Sequence, residues 1–213
     1  MNKDPRDINL IGLMGLTGVG KSTLVDVAIS QLGIQGFYED PGNNPYIAGS
    51  YAEPEKFALK SQLWFLLKKH ELVMEILQQG KTSILDMAPG GDAAHALDRT
   101  NKGNISKDEY QEIYEPLFDK LFPWQLVSTV IYMHAKTDTI LKRISQRGRE
   151  YETGIVTKDL QSLEKANLAM LAKLEKNGVK IIKLDTEHID LANSSQDQQN
   201  AAQFVKENAI DNQ

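Results

Sequence analysis

The sequence predicts an α/β protein built on a five-stranded parallel sheet with helices on both faces. Three observations carry that prediction. Short apolar runs recur along the chain, each followed by a segment with helical spacing. The first run, Ile8 to Met14, passes directly into Gly15-Leu16-Thr17-Gly18-Val19-Gly20-Lys21-Ser22, a complete G-x-x-x-x-G-K-S phosphate-binding loop. The stretch after it, Ser22 to Leu32, then sets Leu24, Val25, Ala28, Ile29 and Leu32 on one helical face. A length of 213 residues suits one such domain, 1–213, with a sizeable core.

The other elements follow in order. Gly36–Asp40 reads as a short second strand running into Pro41-Gly42-Asn43-Asn44-Pro45, a loop by composition. Pro54 to Gln79 reads as a long helix, with Phe57, Leu63, Trp64, Leu66, Leu67, Leu72, Val73, Ile76 and Leu77 in it and Gly80 to end it. Thr82–Asp86 is a third strand closing on an acid, followed by a short helix over Asp92–Arg99 and a loop over Thr100–Ile105. Ser106 with Glu109 three positions on is a capping pattern, opening a helix to about Leu121. Leu126–His134 is strand four and Thr137–Gln146 a basic helix interrupted by Gly148. Arg149–Thr157 reads as a mobile segment, Lys158–Asn177 as a helix and Val179–Leu184 as strand five. A terminal helix covers Ser195–Asn208, and its Asn- and Gln-rich tail, 194–213, is expected to fray.

Composition narrows the class. A formal charge of −5 and a pI near 5.4 give no electrostatic reason to expect nucleic-acid or membrane binding. With no cysteine there is neither a disulfide nor a thiolate zinc site. Met1 to Asp7 is polar, without the apolar core of a secretory signal, and no apolar run approaches the ~18 residues of a membrane span. A cytoplasmic protein is expected. Charge is uneven: Lys136, Lys142, Arg143, Arg147 and Arg149 face only Asp138 between positions 136 and 149. Alone, such a helix reads as a solvated face; beside a phosphate-binding loop it is a candidate clamp for phosphoryl oxygens.

The loop works because its glycines let backbone N–H groups close around an anion at a helix N-terminus, where the dipole favours negative charge. Gly15, Thr17, Gly18, Val19, Gly20, Lys21, Ser22 and Thr23 are the expected phosphate-binding set. Lys21 would reach the outer phosphates and the Ser22 hydroxyl would ligate Mg²⁺. Asp86 is the second candidate metal ligand, with capping of the next turn as the alternative. Glu39 falls at the C-terminal edge of the sheet, where ligands bind in open α/β folds, and a carboxylate there can accept a proton from a substrate hydroxyl. A GTPase reading fails: Asp86-Met87-Ala88-Pro89-Gly90 misses D-x-x-G by one residue, and Asn101-Lys102-Gly103-Asn104 lacks the final Asp of N-K-x-D. A small kinase needs an arginine-bearing lid, and Arg143, Arg147 and Arg149 are at hand.

Beyond the loop, Glu39 to Tyr46, then Tyr51 to Ala58, then Gln62 resemble the substrate side of the deoxynucleoside kinase family, especially its bacterial deoxyadenosine/deoxyguanosine branch. Arg143-Ile144-Ser145-Gln146-Arg147-Gly148-Arg149-Glu150-Tyr151-Glu152-Thr153-Gly154-Ile155 resembles that family's lid, and Leu184-Asp185-Thr186 with Asp190-Leu191 its adenine-side loop. The resemblance implies a P-loop kinase-type three-layer fold with a lid at about 147–157, and transfer of the γ-phosphoryl of ATP, with Mg²⁺, to the 5′-hydroxyl of a deoxynucleoside, a purine one. It implies roles by position: Glu39 as base; Arg143, Arg147 and Arg149 on the phosphates; Tyr51 and Glu152 on the sugar 3′-hydroxyl; Gln62 and Asp92 on the nucleobase; and a homodimer through helices such as Pro54–Gln79. Phe57, Trp64 and Phe65 are either walls of the base site or core.

The chain departs from the family twice. Met87 stands where an acid-Arg-Ser triplet would have its arginine, and Lys69 where an arginine follows the glutamine. Lysine keeps the charge and loses the planar fork, so base recognition is expected to differ; Lys68, Lys69 and His70 also fit an ordinary solvated face. Two rivals stay open: a thymidylate-like monophosphate kinase, against which Met87 also counts, and a nucleotide-binding sensor with impaired catalysis, for which Met87 is the best evidence. His70, His95, His134 and His188 show no metal-ligand spacing and read as structural or surface residues.

Overall fold

The computed structural model describes residues 9–122, 126–148 and 154–210. Its sheet is five-stranded, wholly parallel, and ordered β2-β3-β1-β4-β5, with β1 (Leu10–Met14), β2 (Gln35–Phe37), β3 (Ser83–Leu85), β4 (Thr129–His134) and β5 (Lys180–Asp185). Ile11 pairs with Ile84 on one side and Thr129 on the other, so the strand feeding the phosphate-binding loop is central.

Alternation along the strands sorts the core into two layers. Leu10 and Met14 of β1, Leu85, Val130 and Tyr132 pack against α3 (Pro54–Gln79), α4 (Pro89–Asn101) and α8 (Thr157–Lys176). Ile11, Leu13, Ile84, Ile131, Met133 and Leu184 point the other way, against α1 (Lys21–Leu32) and α9 (Ser195–Val205). The helices therefore cover both faces, as the βα alternation requires. Gly12 is the close-approach point of β1. A Cβ there would lie 2.5 Å from the Ala88 Cβ at the start of α4.

α3 runs over the predicted residues and stops at Gly80, in the left-handed region at φ 64°. The capping box Ser106–Glu109 forms as expected and opens α5 (Lys107–Glu109), which continues through a π-turn, Tyr110–Tyr114, into α6 (Glu115–Leu121). α7 (Thr137–Arg147) ends at Gly148, φ 65°. β4 starts at Thr129 and not at Leu126, α4 runs from Pro89 to Asn101 and not from Asp92 to Arg99, and three further readings change. The second strand stops at Phe37, so Tyr38, Glu39 and Asp40 lie beyond it. A short helix, α2 (Ile47–Ala52), fills the stretch after Pro45. The C-terminal tail does not fray through Ile210: α9 passes into a π-turn, Lys206–Ile210, with Val205 and Ala209 fully buried against the α1 layer. The small apolar residues Ala201, Val205 and Ala209, four apart, form a stripe among the polar ones and dock it.

Candidate active site

Gly15, Gly18 and Gly20 all take positive φ, 140°, 79° and 105°, which turns the chain from Leu16 to Gly20 into a cradle ending on α1. Among the described residues no side chain caps α1, so its first N–H groups remain available at the positive end of the helix dipole. Val19 is buried in the core beneath the loop, and Thr23 lies half-buried on the first helical turn. The Lys21 ammonium folds over the cradle and donates to the carbonyls of Gly15 at 2.9 Å and Leu16 at 3.0 Å. Burial lowers its pKa, while Asp86 and then Glu39 pull it back up. Ser22 Oγ donates to Asp86 Oδ2 at 2.5 Å, bringing both candidate metal ligands together at the start of α1.

A second cluster stands beside it, past the ends of β2 and β3. Lys69, on α3, is only 3% exposed, and its ammonium donates to Glu39 Oε1 at 2.6 Å and to the Met87 carbonyl at 2.7 Å. Asp92 Oδ2, on the first turn of α4, lies 3.5 Å from the same ammonium. Burial alone would lower the Lys69 pKa, but Asp92 and Glu39 outweigh it and hold the lysine charged. Burial raises the Asp92 pKa well above the carboxylate range, with Lys69 opposing and Glu39 reinforcing the rise. Gln62, two turns earlier on the same face of α3, is buried, and among the described residues its Oε1, the Tyr114 hydroxyl and Asp92 Oδ2 have no hydrogen-bond partner. Lys69 is therefore no part of a solvated face; Lys68 is, paired with Glu71 at 2.7 Å.

The remaining expected residues separate. Tyr51 is 59% exposed at the end of α2, its ring under the Arg99 guanidinium at 5.2 Å. Arg147 Nη2 donates to Thr17 Oγ1 at 3.0 Å, which sets it on the loop. Arg143 points elsewhere: its Nη2 donates to the carbonyls of Thr186 at 2.6 Å and Ile189 at 3.0 Å, fastening the loop after β5. Thr186 Oγ1 donates on to the Val19 carbonyl at 3.2 Å, so that fastening reaches the phosphate cradle. Arg149 and Glu152, with the central part of the expected lid, lie outside the described residues. α7 itself is close-packed on the cradle, since a Cβ on Gly18 would meet Ile144 Cγ1 at 2.8 Å.

His95 and Arg99 were not singled out from the sequence. They share a face of α4 with Asp92, at spacings of three and seven, and that spacing was the available signal. Burial drives the His95 pKa from 6.5 down to about 4, with Glu39 opposing and Lys21 reinforcing, so the imidazole is neutral and faces the same cluster of charges.

The whole chain can now be set beside known proteins. The family model for deoxynucleoside kinases matches residues 11–211. The chain belongs to the deoxynucleoside kinase family. A deoxyguanosine kinase of Lactobacillus acidophilus is 30% identical over 68% of this chain and 65% of its own length. A deoxyadenosine/deoxycytidine kinase of Bacillus subtilis is 29% identical over 96% of this chain and 95% of its own. The fold is shared with the deoxyadenosine kinase of M. mycoides with bound dATP, at a TM-score of 0.75 and 22% identity over 93% of this chain and 97% of the other. Membership makes the chain an enzyme, an ATP-dependent deoxynucleoside kinase, and the loop, the acids and the lysines described above are its candidate catalytic apparatus. No helix among the described residues is long and apolar enough to cross a membrane.

Proposed function

We propose that this P-loop kinase-type enzyme moves the γ-phosphoryl of ATP to the 5′-hydroxyl of a purine deoxynucleoside, with Glu39 as the base. The observation that carries the proposal is a pair of contacts through adjacent residues: Asp86 meets Ser22 at the start of α1, and the Met87 carbonyl meets the lysine that holds Glu39, so the loop and an acceptor-side carboxylate stand side by side. Relatives named deoxyguanosine kinase and deoxyadenosine/deoxycytidine kinase support a deoxynucleoside acceptor.

The chemistry follows from positioning and electrostatics. The cradle from Gly15 to Thr23 and Lys21 hold the triphosphate. Glu39 takes the proton of the 5′-hydroxyl as its oxygen attacks the γ-phosphorus, and the bond from that phosphorus to the β-γ bridging oxygen breaks to release ADP. The adjacent Ser22 hydroxyl and Asp86 carboxylate are the oxygen donors that Mg²⁺ prefers, and they would hold it against the triphosphate, where it neutralises phosphate charge. Arg147, bonded to Thr17, is placed to meet that charge, and Arg149 belongs with it by resemblance. Arg143 acts here by fastening the Thr186–Ile189 loop rather than by touching phosphate. Gln62, whose buried Oε1 lacks a partner, offers a donor and an acceptor to an adenine-like edge. Tyr51 and Glu152 take the sugar 3′-hydroxyl, and Asp92 lies at the base end. Exposed Leu67 and Met74 on α3 support the homodimer that the resemblance implies.

The test is a turnover assay with Mg-ATP and a panel of nucleosides and monophosphates, run alongside Glu39→Gln. Nucleoside phosphorylation that is lost in Glu39→Gln, with ATP binding kept, supports the proposal. Monophosphate phosphorylation, ATP binding without product, or full activity of Glu39→Gln overturns it.

A further inference from the structure

The second cluster contains more than a base and a nucleobase contact. Lys69 is almost wholly buried; its ammonium donates to Glu39 Oε1 and to the Met87 carbonyl, and lies at an ion-pair distance of 3.5 Å from Asp92 Oδ2. Glu39 sits past the end of β2, in a stretch without regular secondary structure, so nothing in the sheet fixes its carboxylate. One oxygen is held by Lys69, and the side chain keeps 21% of its surface open for a substrate hydroxyl.

Residue 87 completes the arrangement. Met87 takes φ 62°, the left-handed region that only glycine enters freely, and in that conformation its carbonyl meets the lysine. Its side chain goes the other way, against α4, where a Cβ on Gly91 would lie 2.4 Å from Met87 Cγ. Residue 87 thus offers the acceptor edge an oxygen and no charge. The cation at that edge comes from α3.

We propose that Lys69 is the positioning residue of Glu39: it supplies the positive charge at the acceptor hydroxyl and does not read the nucleobase. This rests on Glu39 being the base. Asp92 is then the second carboxyl beside the lysine, between α3 and α4, and the Met87 carbonyl is the lysine's other hydrogen-bonded tether.

The experiment compares Lys69→Met and Lys69→Arg, with Mg-ATP and the preferred nucleoside of the panel, each variant's melting temperature being recorded. Lys69→Met is expected to lose kcat by about 10²-fold, as for removal of a charged donor at a reacting oxygen, with both KM values unchanged within about threefold. Lys69→Arg is expected to retain most of kcat. A Lys69→Met enzyme with full kcat and a raised nucleoside KM overturns the proposal and makes Lys69 a base reader; a loss of kcat in Lys69→Arg equal to that in Lys69→Met overturns it as well. If Lys69→Met fails to fold, Lys69→Gln, which keeps a donor for Glu39 and removes the charge, is read by the same criteria. A crystal structure of the variant decides the point without turnover: a Glu39 carboxylate in its wild-type position overturns the proposal, whatever the acceptor proves to be.

Discussion

The Ser22 hydroxyl donates to Asp86 Oδ2 at 2.5 Å across 64 residues of chain, joining the first turn of α1 to the residue that follows β3. The two strands preceding these residues are neighbours in the sheet, with Gly12 paired to Leu85, so the contact is set by register and not by loop conformation. A serine at the helix start and an acid at the strand end meet because the parallel sheet brings both C-terminal edges to one level.

Asp86→Asn keeps the shape and the hydrogen bond to Ser22 but removes the anion. The expected outcome is a fall in kcat of about 10²-fold and a higher Mg²⁺ concentration for half-maximal rate, with nucleoside affinity unchanged. Steady-state rates across a Mg²⁺ titration, with nucleoside binding followed by calorimetry, check it.

His95 gives a pH dependence of stability with a definite sign. In the unfolded chain it protonates as pH falls through 6.5, whereas in the folded protein it resists protonation until about 4. Stability therefore falls as pH drops from 6.5 toward 4, by at most about 3 kcal/mol from this residue. Urea unfolding at pH 7 and pH 4.5 should show a smaller acid loss in His95→Gln than in the unmodified protein.

Arg143→Ala should loosen one loop without touching the acceptor side. Its guanidinium fastens the carbonyls of Thr186 and Ile189, so amide exchange over 186–191 is expected to quicken by about tenfold, in line with local opening made easier by roughly 1.4 kcal/mol. Hydrogen exchange by mass spectrometry checks this, and the KM for ATP is expected to rise while that for the nucleoside stays constant.

Val205→Ala tests the docked tail. Val205 is fully buried against the α1 layer, and losing its two methyl carbons should cost about 2 kcal/mol. Denaturant midpoints check the loss; specific activity of the folded enzyme should not change.

The sequence revealed best what depends on near neighbours. The phosphate cradle, the limits of α3 and the Ser106–Glu109 box are local patterns, and each forms over the expected residues. What stayed hidden depends on distant partners. α2 has no apolar periodicity of its own; Gly49 lets it lie on the Phe57 ring, 2.8 Å from where a Cβ would stand. The second strand ends early because its ladder with β3 ends at Phe37 and Leu85. Lys69 stands between an exposed lysine and a half-buried histidine, and nothing nearby announces that Glu39, 30 residues earlier, draws it inside. Polar neighbours likewise masked the four-residue stripe that docks the C-terminal tail.

The sheet order has a consequence for how such an enzyme can change. With β1 central, β2 and β3 to one side come from the first half of the chain and β4 and β5 to the other from the second. Glu39, Gln62, Lys69, Asp92 and the Met87 carbonyl therefore belong to one contiguous stretch of sequence, and Arg143, Arg147 and Thr186 to another. Glu152 apart, the proposed acceptor contacts lie on the first of these lengths and the arginines beside the cradle on the second, and the two lengths also join through Ser162 and Asp98 of α8 and α4. Much of the proposed acceptor preference can therefore drift by changes within one block while those arginines stay unaltered.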